Sequence, residues 1–145
     1  MELLRLAVNY RNAIEIALNN NELDFIPLFD NFPKGSCGIT CDLLGEYLLR
    51  NGYATKYVCG TKYGNTPFDS QSHAWLLYNN IIIDITGDQF KNDSKYLYNN
   101  NKVYVGEENN FYKLFNIEDR RIYICLGIQN DYQLKDIYKK IEKYL

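Results

Sequence analysis

Ser72-His73-Ala74-Trp75-Leu76-Leu77-Tyr78-Asn79-Asn80-Ile81-Ile82-Ile83-Asp84-Ile85-Thr86 reads as two apolar strands joined by a two-residue Asn-Asn turn, a β-hairpin. With Asn79 and Asn80 as the turn, Tyr78 faces Ile81, and extending the register sets His73 opposite Thr86. Successive side chains point to opposite faces of a strand, so Asp84 shares a face with Thr86 and lies diagonal to His73, within reach of its ring. An aspartate near a strand end commonly caps a turn. An acid inside an isoleucine run, however, needs a partner once it is buried.

His73 is the only histidine of the chain, and upstream of it lies Gly35-Ser36-Cys37-Gly38-Ile39-Thr40. The residues that follow place Leu43, Leu44, Tyr47 and Leu48 at helical spacing and end at Gly52, so Cys37 is expected at the start of a helix. A thiol attacks carbonyl carbon as the thiolate, a form favoured by a helix N-terminus and a nearby imidazolium. Gly35 and Gly38 keep bulk away from the sulfur. Cys41 follows one turn later on the same face and is expected to pack beneath Cys37. Cys59, closing Tyr57-Val58-Cys59, and Cys125, inside Ile122-Tyr123-Ile124-Cys125-Leu126, are expected in the core, where free cysteine behaves as a small hydrophobe.

Outward from these segments the map is a helix over about Glu2 to Asn19, a loop from Asp24 to Lys34 limited by Pro27 and Pro33, and the Cys37 helix. A strand over about Thr55 to Cys59 precedes a polar loop from Thr61 to Gln71, placed to shape or cover a substrate groove. The hairpin follows, then a turn at Gly87-Asp88-Gln89-Phe90. Strands are expected at Val103-Tyr104-Val105 and from Arg120 to Leu126, and a C-terminal helix from Asp131 to Leu145. The fold class expected is α+β, an antiparallel sheet packed against a central Cys-bearing helix with N- and C-terminal helices, in a single domain over 1–145. A chain of 145 residues buries about 68–70% of its unfolded surface without disulfide staples.

Sixteen basic against eighteen acidic residues leave a net charge of −2, with no Lys/Arg cluster, which argues against nucleic acid or an anionic membrane as partner. The N-terminus carries Glu2 and Arg5 and does not read as a secretory signal, and no stretch reaches the ~18 apolar residues that span a bilayer. A soluble protein of the reducing cytoplasm is expected. Export without a cleavable signal is compatible with the same sequence.

Phe32 to Gly38 and Ser72 to Phe90 together resemble the papain-like cysteine superfamily, most closely its transglutaminase-like branch. There the order is cysteine on a helix, histidine on one strand and aspartate on the next. The same two blocks are similar to a group of uncharacterised bacterial proteins. The resemblance covers Asn31 to Phe90. It implies Cys37 as nucleophile, His73 as general base and acid, and Asp84 as the residue orienting His73, in a cysteine hydrolase or acyltransferase working through a thioacyl intermediate. Peptidase, amidase or deamidase, and transglutaminase-type reactions all fit, with a peptide, a protein or a small amide or thioester as substrate and no cofactor or metal. Papain-like enzymes often place a Gln before the cysteine for the oxyanion hole, whereas here only Asn31 precedes it. Gln71 and Gln89 are further candidates, the Cys37 backbone N–H is a donor needing only the helix start, and Trp75 is placed to wall the imidazole from water. The alternatives are a non-catalytic binding or adaptor module on the same fold, and a zinc site drawing on Cys37, Cys41, Cys59 and His73, which lacks the usual paired spacing.

Overall fold

The computed structural model describes residues 1–98, 101–117, 122–129 and 131–145. Among them the helices are α1 (Glu2–Asn19), α2 (Cys37–Arg50) and α3 (Tyr132–Glu142), and the strands are β1 (Lys56–Lys62), β2 (Gln71–Tyr78), β3 (Ile81–Asp84), β4 (Tyr104–Gly106) and β5 (Ile122–Ile124). The strands form one antiparallel sheet in the order β4-β3-β2-β1-β5. The architecture is α+β, as expected. Arg120 and Arg121, read above as strand, lie outside the described residues.

Three layers result, because β2 is buried on both faces. Ala74 and Leu76 point to one side, where they join Leu6, Tyr10 and Ile14 of α1, Leu44 of α2 and Ile137 of α3 in the larger core. His73 and Trp75 point to the other, where Trp75 packs with Val58, Ile82, Phe90, Phe111 and Phe115 in an aromatic core built largely from the loops after β3 and β4. Each fully buried Leu or Ile adds about 1.5–3 kcal/mol over exposure, so the two cores clamp the sheet from opposite sides. Gly60 makes the second core fit: it pairs with His73 across the ladder, and a Cβ there would lie 2.7 Å from Phe115 Cβ. A side chain at 60 would displace the loop that roofs the histidine.

The hairpin adopts the expected register, with Tyr78 opposite Ile81 and Leu76 opposite Ile83, and Asn79 sits in the turn at φ 54°. Strand β1 runs three residues beyond the expected end at Cys59, because Thr61 and Lys62 find partners in Ser72 and Gln71. The polar loop before His73 is correspondingly shorter. Cys125 is buried against Gly45 of α2, just beyond the end of β5, whereas Cys59 is half-buried at the margin of the larger core. Asp131 caps α3 by accepting from the Leu134 backbone N–H at 3.0 Å. Among the described residues no helix is long and apolar enough to cross a membrane.

Candidate active site

Cys37 is the first residue of α2. Ser36 precedes it, but its hydroxyl donates to the Pro33 carbonyl at 2.9 Å rather than capping the helix. Among the described residues the N–H groups of the first turn are therefore left without a side-chain acceptor, next to the sulfur. Pairing of β2 with β3 stops at Leu76 opposite Ile83, and past that point the Ala74 backbone lies near the Cys37 thiol instead. The short β3 ladder is what admits the helix start to the side of His73.

His73 is fully buried, and its Nε2 lies 2.8 Å from Asp84 Oδ2. Its other nitrogen, Nδ1, is left to the Cys37 thiol and to Gln89, whose Nε2 stands 3.4 Å away while also donating to the Thr86 carbonyl at 3.1 Å. The ring is boxed by Phe90 at 5.2 Å between centroids, Trp75 at 5.7 Å, Phe115 at 5.8 Å and Phe111 at 5.9 Å. Trp75 does wall the imidazole, as one of four aromatic side chains.

Asp84 serves both roles open to it from the sequence. Oδ1 accepts the Thr86 backbone N–H at 2.9 Å, closing the turn, while Oδ2 meets His73 and also accepts the Tyr112 hydroxyl at 2.8 Å. Gly87 follows closely: a Cβ there would stand 2.7 Å from Asp84 Oδ2.

The electrostatics follow from these contacts. Burial resists an imidazolium at His73, but the charge and hydrogen bond of Asp84 outweigh it, and its pKa rises to about 9. Burial likewise resists the Asp84 carboxylate, and His73, the Thr86 N–H and Tyr112 more than compensate, holding it below the usual aspartate range. At Cys37 burial raises the pKa, while the hydrogen bond and charge of His73 and the Ala74 backbone bring it below the ordinary thiol value. Burial pushes Cys41 far the other way and Cys125 upward. The arrangement favours one acidic, partly exposed thiol over two buried, inert ones.

A cleft of about 710 Å³ opens between the chain leading into Cys37 and the Gln89 turn, with neither Cys37 nor His73 among its lining residues. One bank is Asn31 to Gly35, the chain leading into Cys37; the other carries Gln71, Gln89 and Phe90, which flank His73. Of the three side-chain oxyanion candidates, Gln89 reaches the histidine, whereas Asn31 and Gln71 line the cleft as exposed residues. Among the described residues no group of three His, Cys, Asp or Glu side chains is placed to hold a metal ion.

Tyr112 escaped the sequence reading, since nothing local ties it to an aspartate 28 positions away. Arg11 escaped it too, although a signal existed. It falls on the apolar face of α1, where a charge demands a partner. Its guanidinium, 4% exposed, forks onto Asp88 at 2.9 and 3.0 Å, donates to the Ile85 carbonyl at 2.5 Å, and lies 4.7 Å over the Phe32 ring. Asp88 precedes Gln89 and Phe32 leads toward Cys37, so one buried cation ties both banks of the cleft to α1.

Compared with protein-family models, with curated proteins and with solved structures, the chain matches none.

Proposed function

We propose that the chain is a cysteine-nucleophile acyl-transfer enzyme of the papain-like superfamily, in its transglutaminase-like branch. The observation that carries this reading is the His73–Asp84 pair at 2.8 Å, both residues buried, with the partly exposed Cys37 thiol at a helix start close enough to His73 to interact with it. The chain order of cysteine helix, histidine strand and aspartate strand supports the family assignment.

In the proposed reaction His73 Nδ1 takes the Cys37 proton, and the sulfur adds to an amide or thioester carbonyl. Charge developing on the carbonyl oxygen meets the open N–H groups of the α2 first turn. Gln89 is the side-chain donor proposed for the same oxygen: once Nδ1 carries a proton it no longer accepts from Gln89, whose N–H is then released. The tetrahedral adduct collapses as His73 returns the proton to the leaving amine or thiolate, giving a thioacyl enzyme. Water or an amine, deprotonated by His73, releases the acyl group and regenerates the thiol. Asp84 holds the Nε2–H and balances the imidazolium throughout.

A non-catalytic binding module is the competing reading, favoured by the complete burial of His73. The pH dependence of iodoacetamide alkylation, mapped to each cysteine by peptide mass spectrometry, separates the two. The enzyme reading expects Cys37 to react well below the ordinary thiol pKa of about 8.5 and to lose that advantage in His73→Ala. A Cys37 that behaves as an ordinary thiol, indifferent to His73, makes the constellation structural.

A further inference from the structure

Although the chain is net negative, the cleft between the chain entering Cys37 and the Gln89 turn is lined by Lys34 and Lys91, with Lys62 nearby. Lys34 lies on the bank leading into Cys37, and Lys91 lies on the opposite bank, two residues past Gln89. Lys62 pairs with Gln71 across the β1–β2 ladder, and its ammonium sits 5.4 Å over the ring of Tyr96, which also lines the cleft. Among the described residues none of these three lysines has an ion-pair partner. The acids of the cleft are already committed: Asp88 is neutralised by Arg11, and Asp93 accepts the Lys95 backbone N–H at 3.0 Å and faces its ammonium at 3.8 Å. The uncompensated charge lining the cleft is thus positive on both banks.

We propose that the cleft binds an acidic polypeptide segment, one carrying carboxylates within a few residues of the carbonyl presented to Cys37. This rests on the acyl-transfer reading and names its substrate class. A peptide fits better than a nucleic acid, because the group beside the lysines is a carbonyl-directed thiol and the cleft offers carboxamides, Asn31, Gln71, Gln89 and Asn92, suited to a peptide backbone.

The test needs no known substrate. Cys37 alkylation is measured at low ionic strength with iodoacetate, an anion, and iodoacetamide, its neutral counterpart. In Lys34→Gln/Lys91→Gln the iodoacetate-to-iodoacetamide rate ratio is expected to fall about two- to fivefold, and salt should lower the wild-type ratio toward that of the variant. Lys139→Gln, on α3, should leave the ratio in place. A blocked pentapeptide of four glutamates around a central glutamine should protect Cys37 from iodoacetamide, and its lysine counterpart should not.

A fast, His73-dependent Cys37 whose ratio ignores the cleft lysines overturns the acidic-peptide proposal while sparing the enzyme reading. Protection by a single-stranded oligonucleotide but not by the glutamate peptide also overturns it. A Cys37 slow toward both reagents and insensitive to His73 removes the enzyme reading, and this proposal with it.

Discussion

At Asp84 one carboxylate collects His73 and Tyr112 on Oδ2 and Thr86 on Oδ1, and this sharing makes the site's behaviour testable residue by residue. Tyr112→Phe keeps the ring and removes the hydroxyl, so it should cost about 1.5–3 kcal/mol, the worth of a hydrogen bond to a buried charge, by urea denaturation. His73 and Cys37 have opposite pH signatures. The raised pKa of His73 contributes stability that is fully present below about 6.5 and is lost as pH rises through about 9. The lowered pKa of Cys37 works in the other direction, because the folded state gives up its thiol proton before the unfolded chain does. In the wild type the Cys37 contribution should therefore offset part of the loss of urea midpoint across that window. Cys37→Ser should instead lose stability steadily as pH climbs, while Asp84 still holds the imidazolium. A Cys37→Ser profile no steeper than that of the wild type would mean that His73 is not charged in the folded protein.

At the scale of elements the site depends on pieces meeting end to end. Helix α2 supplies the thiol, the start of β2, paired with β1 but not with β3, supplies the imidazole, the end of β3 supplies the carboxylate, and the turn after it supplies Gln89. Arg11 of α1 spans the two banks. Arg11→Met should be strongly destabilising, by about 3–5 kcal/mol, because it strands the buried Asp88 carboxylate. Arg11→Met/Asp88→Leu should recover much of that loss in a urea titration, yet leave the Cys37 alkylation rate reduced, since the tie between Phe32 and the Gln89 turn is gone. A double variant with wild-type alkylation would make the pair purely structural. Gly87→Ala should act more locally, driving a methyl against Asp84 and lowering Cys37 reactivity.

For the whole molecule, the sheet is held between a helical core and an aromatic core, and the single tryptophan, Trp75, lies in the aromatic one. Far-ultraviolet circular dichroism reports chiefly the helices, whereas Trp75 fluorescence reports the opposite layer. Both layers grip β2, so the two probes should give superimposable urea transitions. Separated midpoints would divide the chain into two folding units.

The hairpin, the helices and the α+β class were legible because they rest on local periodicity: alternation around Asn79-Asn80, 3.6-residue spacing after Cys37, turn residues between. The nearness of His73 and Asp84 was legible for the same reason, since a hairpin register is set by its turn. The sequence determined by itself that a histidine ring and a carboxylate would meet within one hairpin and that Cys37 would open a helix. What brought Cys37 near His73, Tyr112 to Asp84, Arg11 to Asp88 and lysines from separate segments to one cleft was tertiary packing alone. Those contacts join positions tens of residues apart, set by how two cores close on the sheet, and no local pattern encodes that closure.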